Sequence, residues 1–241
     1  MPETQAVAQE EKKIFVERKF ASITRRYDLL NSLLSLNIDR YWRRLAAREL
    51  DGFNGAPVLD LCAGTLPSSR AVAGRKPGEY ILSLDICREM LFYGKNMPDS
   101  QDFHPYILPA CADGEEIPCK DNIFSGIIVA FGVRNLSNID RGLREMYRVL
   151  RSGGKLVILE FSRPENPFIR PLYFFYLMRL LPVIGGWISG DQEAYRYLAS
   201  SIRLFCSPGE LVHKMEDAGY TKTKHRPITA GIVTIYTGEK A

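Results

Sequence analysis

The first stretch with chemical content is PVLDLCAGTLPSS (57–69), followed by ILSLDICREML (81–91). Val58, Leu59 and Leu61 make the first an apolar strand that holds Asp60 and turns at Gly64. Ile81, Leu82 and Leu84 make the second another, ending in Asp85. A strand, a glycine turn, a helix and a strand with a terminal acid form a nucleoside-binding βαβ unit. The glycine lets backbone approach the ligand, and the acid accepts hydrogen bonds from two ribose hydroxyls. A glycine here also serves simply to turn a parallel sheet, so these residues alone leave both readings open.

The elements that must position this unit follow from the rest of the chain. Its 241 residues fit one α/β domain with additions. Residues 1–13 read as a disordered lead, and 14–50 as an amphipathic helical cap over the ligand site. Strands are predicted at 58–61, 80–84, 106–108, 126–130 and 155–161, with helices at 68–75, 89–96 and 140–150. An apolar insert, 164–192, interrupts the pattern; Arg179, Pro182 and a glycine pair argue against a membrane-spanning helix. A lid or membrane-surface segment fits it, with a helix packed in ordinary core as the plainer alternative. Helices at 192–202 and 208–218 precede late strands at 220–224 and 232–236.

The net charge of +4 is mixed throughout, without the clustered basic face of a nucleic-acid binder. Arg25, Arg26, Arg40, Arg43, Arg44 and Arg48 gather near the amino end. They read as a solvated helix face, with contact to anionic lipid as the sharper alternative. Cys62, Cys87, Cys111, Cys119 and Cys206 form an odd set without CxxC spacing, which argues against disulfides and a zinc site. Small buried thiols are the expectation. The polar, Glu-rich start has no signal-peptide features, so a cytoplasmic protein is expected.

Five βα units followed by a C-terminal hairpin is the order used by S-adenosylmethionine-dependent methyltransferases. More narrowly, the chain carries, in order, RYDLLNSLLSLNIDRYWRR (26–44), VLDLCAGT (58–65), AFGVRN (130–135), LREMYRVLRSGGKLVILEFSRP (143–164), EAYRYLASSI (193–202) and ITAGIVTIY (228–236). On these residues it resembles the UbiE/MenG family of quinone-biosynthesis C-methyltransferases. It implies a Rossmann-like class I fold, with a mostly parallel seven-stranded sheet, a C-terminal antiparallel hairpin and an N-terminal helical cap. It also implies S-adenosylmethionine as cofactor and methylation of a ring carbon of a polyprenylated quinol. Peripheral contact with the inner face of a membrane would give access to the prenyl tail. A homodimer is compatible with the resemblance, and no nucleic acid is implied.

One departure falls at the cofactor. The family pattern D-x-x-x-G-T-G-D puts a glycine and an acid where this chain has Leu66 and Pro67. A leucine there must point away from the methionine part of the cofactor or fill its space. Two further readings follow: a paralogue using the same cofactor on another acceptor or in another reaction, and a non-catalytic scaffold.

Carried over by position, Asp60 and Gly64 shape the turn, and Thr65 hydrogen-bonds the amino-acid portion of the cofactor. Asp85 takes the ribose, Ile86 packs on the adenine, and Asp113 with Gly114 reads its amino group. Arg134 is the first candidate to hold a developing phenolate or a proton-accepting water. Asp28 and Tyr195 join it as catalytic candidates, and Tyr27, Asn135 and Tyr197 are expected along the acceptor cavity. A salt bridge to an acid is the plainer role for Arg134, and core packing for the tyrosines.

Overall fold

The computed structural model describes residues 7, 10–21, 24, 38–97, 105–183 and 192–241. In chain order these form α1 (10–21), α2 (Ile38–Arg48), β1 (Val58–Leu61), α3 (Pro67–Ala73), β2 (Ile81–Asp85) and α4 (Arg88–Lys95). β3 (Ile107–Cys111), β4 (Phe124–Ala130), a 3₁₀ turn (Val133–Asn135), α5 (Ile139–Val149) and β5 (Leu150–Phe161) follow. The insert carries α6 (Ile169–Phe175), which runs on as a π-helical turn (Tyr176–Leu180). α7 (Gln192–Leu204), α8 (Pro208–Asp217), β6 (Thr221–Ile228) and β7 (Val233–Glu239) complete the chain.

The seven strands make one sheet in the order β3-β2-β1-β4-β5-β7-β6. β1 pairs in parallel with β2 and β4, whereas β7 runs antiparallel to both β5 and β6. β1 and β4 are buried at every residue, as central parallel strands covered on both faces must be. The period-2 alternation divides their side chains between two cores. Leu59, Leu61, Ile127 and Val129 meet Leu143 and Met146 of α5 and Leu211 of α8. Val58, Ile128 and Ala130 meet Trp42, Ala46 and Ala47 of α2 and Val72 of α3.

Helix starts obey local chemistry. Asn138 caps α5 by accepting from the Arg141 N–H at 3.0 Å. Ser207 and Glu210 form a reciprocal capping box, with Pro208 in the first turn of α8.

Several expectations shift. Residues 10–13, expected to lack structure, are helical, and Lys12 Nζ donates to the Leu136 carbonyl at 2.5 Å. β5 begins at Leu150, where Ser152-Gly153-Gly154 read as a helix stop. β6 extends four residues past the predicted Lys224, because its exposed, charged sequence hides an edge strand. Arg43 leaves the solvated face assigned to the amino-terminal arginines: it is buried, with Trp42, Ala46 and Ala47, on the inward side of α2.

Candidate functional site

The strand order reverses between β1 and β4, and in such sheets ligands bind outside the carboxyl ends at that point. A cavity lies there. Its walls include Gly64, Thr65, Asp85, Ile86, Asp113, Gly114, Asn135, Arg43 and Phe131. The strand ends that shape it hold unusual backbone: Cys62 (φ 56°), Gly64 (φ 54°), Leu66 (φ 68°) and Phe131 (φ 62°) are all left-handed. Left-handed non-glycine residues cluster where a surrounding structure holds them for function. Gly132 explains the glycine of AFGVRN, since a Cβ there would lie 2.3 Å from Cys62 Cβ. The turns after β1 and β4 are pressed together.

Leu66 keeps the backbone conformation that a glycine adopts freely, and its side chain turns away from the cavity. It is 2 % exposed and packs in the α2–α3 core, while Pro67 opens α3 and reaches the cavity wall. The space expected for the methionine part is therefore not filled by leucine. The feature that favoured another reaction loses its force.

Asp60 sits beneath the turn, fully buried. Ser69 Oγ donates to its Oδ2 at 2.5 Å and lies 2.8 Å from Ser83 Oγ. Its Oδ1 has no partner among the described residues, and burial pushes the carboxyl up to about 7 against the pull of Ser69 and the Arg43 charge. It ties the first turn of α3 to β1.

Asp85 is half-buried at the end of β2. Its Oδ2 accepts from the Gly64 N–H and its Oδ1 from the Cys87 N–H, each at 2.8 Å. Burial raises its pKa, and those backbone donors oppose the rise. Asp113 accepts from Lys13 Nζ of α1 at 2.5 Å, and Lys13 also stands 3.4 Å from Glu115. The thiols of Cys62 and Cys87, both at this end of the sheet, are pushed up by burial, the latter to about 12, so they stay protonated and inert.

On the acceptor side, Arg134 turns toward an acid at the end of β5. Its Nη1 donates to Glu160 Oε1 and to the Phe131 carbonyl, both at 2.6 Å. Glu160 is fully buried and also accepts from the Arg134 backbone N–H at 3.3 Å. The arginine ties the ends of β4 and β5 together, off the cavity wall. Asn135 does line the cavity, and Tyr197 Oη donates to its Oδ1 at 3.2 Å. Tyr195 packs with Tyr173, Leu177 and Ala199 between α6 and α7, in a core separate from the cavity. Tyr27 and Asp28 lie outside the described residues.

Sequence reasoning missed Lys13 and Phe131 on the cavity wall and Glu160 behind it, and misplaced Arg43. Outside the cavity, Tyr173 is buried with its hydroxyl unpartnered among the described residues, and burial raises its pKa. Arg43 had a signal: it falls on the 42/46 and 43/47 stripe of α2 that is otherwise apolar.

Residues 5–240 match the ubiE/COQ5 methyltransferase family. The "Ubiquinone/menaquinone biosynthesis C-methyltransferase UbiE" of Geotalea daltonii is 40% identical over 226 residues, covering 93% of this chain and 96% of that protein. The "Demethylmenaquinone methyltransferase" of Streptomyces avermitilis is 39% identical and covers 94% of each chain. Among solved structures, an S-adenosylmethionine-dependent methyltransferase from Thermotoga maritima, described as a possible histamine N-methyltransferase, superposes with a TM-score of 0.66 at 14% identity. That match covers 93% of this chain and 99% of the other, and it establishes the fold. The chain therefore belongs to the ubiE/COQ5 methyltransferase family and is a methyltransferase whose methyl donor is S-adenosylmethionine.

Proposed function

We propose that the protein methylates a ring carbon of a polyprenylated quinol in menaquinone or ubiquinone biosynthesis, with the donor held in the cavity at the ends of β1 to β3. The observation that carries this reading is Asp85. Each of its oxygens accepts one backbone N–H, and a carboxylate oxygen has room for a second donor. Two neighbouring ribose hydroxyls match that remaining capacity. Ile86 and Leu136 supply apolar wall beside it, and Asp113 supplies an acceptor for an exocyclic amine. The residues present thus fit the donor.

Bound there, S-adenosylmethionine supplies an electrophilic methyl group on a sulfonium. The chain must hold a ring carbon in line with it, and alignment of this kind is worth about 7–11 kcal/mol where geometry is ideal. The ring becomes nucleophilic when a quinol hydroxyl loses its proton, so a donor toward the resulting oxygen favours transfer. Asn135 can be that donor. Tyr197 occupies its Oδ1, which orients the amide so that an N–H can serve the cavity. Arg134 is better read as a positioning residue, because its bonds to Phe131 and Glu160 fix the turn that carries Asn135.

The tail has a matching surface. Phe168, Leu172, Phe175 and Val183 of the insert are exposed at 86%, 69%, 56% and 52%, with Arg170 and Arg179 exposed beside them. No helix of the described residues is long and apolar enough to cross a membrane. An apolar stripe flanked by arginines suits the plane of an anionic bilayer, where a polyprenyl chain resides.

The test is turnover with methyl-deuterated S-adenosylmethionine and a short-tailed demethylmenaquinone, offered reduced or oxidised. Label on a ring carbon of the reduced acceptor alone supports the reading. Label on oxygen, or none, contradicts it.

A further inference from the structure

One cation of the cavity wall has no ion-paired carboxylate among the described residues, although its charge acts on the buried Asp60. Arg43 is 7% exposed on the inward side of α2. Its guanidinium lies over the Phe131 ring, with Cζ 5.0 Å from the centroid, and Nη1 donates to Ser68 Oγ at 2.6 Å. Among the described residues, Nε is buried without a partner and no carboxylate stands within ion-pair distance of the group. Lys13, another cation on this wall, is already met by Asp113 and Glu115. A buried guanidinium lacking a paired anion is costly, and its cost falls when an anion with matching geometry arrives.

The support around Arg43 is rigid. Phe131 stacks on Phe161 with centroids 4.6 Å apart, and Trp42 leans on both rings while its Nε1 donates to Thr229 Oγ1 at 2.7 Å. Arg40, Arg44 and Arg48 of the same helix face solvent, so the inward position of Arg43 is not a property of the helix as a whole. With Nη1 held by Ser68, the Nε–Nη2 edge of the fork remains, and that edge matches a carboxylate through two parallel hydrogen bonds.

We infer that Arg43 anchors the α-carboxylate of the methyl donor, beside the turn that runs from Gly64 to Pro67. This rests on the S-adenosylmethionine reading of the cavity and adds the residue that recognises the amino-acid end.

Calorimetric titration of the full chain with S-adenosylhomocysteine and with its decarboxylated analogue tests it. The analogue keeps the adenosine, thioether and amine and lacks only the carboxylate. Wild type should bind S-adenosylhomocysteine roughly 10- to 100-fold more tightly than the analogue, the range of a charge-assisted hydrogen-bonded pair. Arg43→Gln should abolish that preference by weakening S-adenosylhomocysteine alone. A preference that survives in Arg43→Gln, or an equal weakening of both ligands, overturns the assignment. Should Arg43→Gln not fold, Arg43→Lys carries the comparison: losing the fork should cut the preference by about threefold or more, and an unchanged preference overturns it. Wild type that binds neither ligand overturns the donor reading itself, an outcome distinct from loss of preference.

Discussion

Leu66 is the residue at which this chain departs most from its family, and its physics is a trade between backbone and side chain. A left-handed non-glycine residue costs about 1–2 kcal/mol, and Leu66 adopts φ 68°. Its buried side chain, packed with the α2–α3 core, more than offsets that. Leu66→Gly should therefore lower stability by about 1–4 kcal/mol, the loss of a buried leucine less the relieved strain. Affinity for S-adenosylhomocysteine should change by less than about twofold, because the side chain is not part of the cavity wall. Urea unfolding and titration measure the two effects; a large gain or loss of affinity would mean that Leu66 shapes the donor pocket. At this scale the sequence was readable where residues act within one strand–turn–helix unit. Gly64, Thr65, Asp85, Ile86, Asp113 and Gly114 all reach the cavity. Arg43 was readable as inward-facing from the stripe of α2 but not as a site residue, and Lys13 and Glu160 gave no signal, because what they meet lies on other elements: Lys13 meets Asp113 across 100 positions.

Among the elements, α4 packs closely against the turn after β1. Gly94 lies inside α4, where glycine weakens a helix by about 1 kcal/mol, and a packing reason offsets it. A Cβ at Gly94 would stand 2.4 Å from the Thr65 carbonyl oxygen. Gly94→Ala should push that turn into the cavity, reduce stability by about 1–3 kcal/mol and weaken S-adenosylhomocysteine binding by at least about tenfold. Gly209 of α8 has open space around it, so Gly209→Ala serves as the control that leaves binding unchanged. Equal affinities for the two variants would contradict the close packing of α4 on the turn. Apolar runs located the central strands to within a few residues, since burial on both faces leaves a continuous signal. The edge strand β6 and the start of β5 escaped that logic. One is exposed along its length, and the other begins through Ser152, Gly153 and Gly154, which look like a helix stop.

For the molecule as a whole, the sheet order brings the ends of β1, β2 and β4 to one rim, and the insert adds an apolar face elsewhere on the surface. Phe174 is half-buried in the insert core, so Phe168 and Phe175 are the better probes of membrane contact. Replacing both by serine should abolish flotation with anionic vesicles and leave S-adenosylhomocysteine binding intact; undiminished flotation would remove the membrane from the account. The fold class, a mostly parallel sheet closed by an antiparallel hairpin, was legible because the βα alternation and the final pair of strands are sequential features. The insert's orientation was not, because an apolar segment reads alike whether it faces core or lipid. The central claim is that the rim of β1 and β2 holds the methyl donor through Asp85, and titration of wild type and Asp85→Ala with S-adenosylhomocysteine tests it most directly. The account predicts micromolar binding by wild type and its loss, by about tenfold or more, in the variant. No binding by wild type, or equal binding by both, would contradict it.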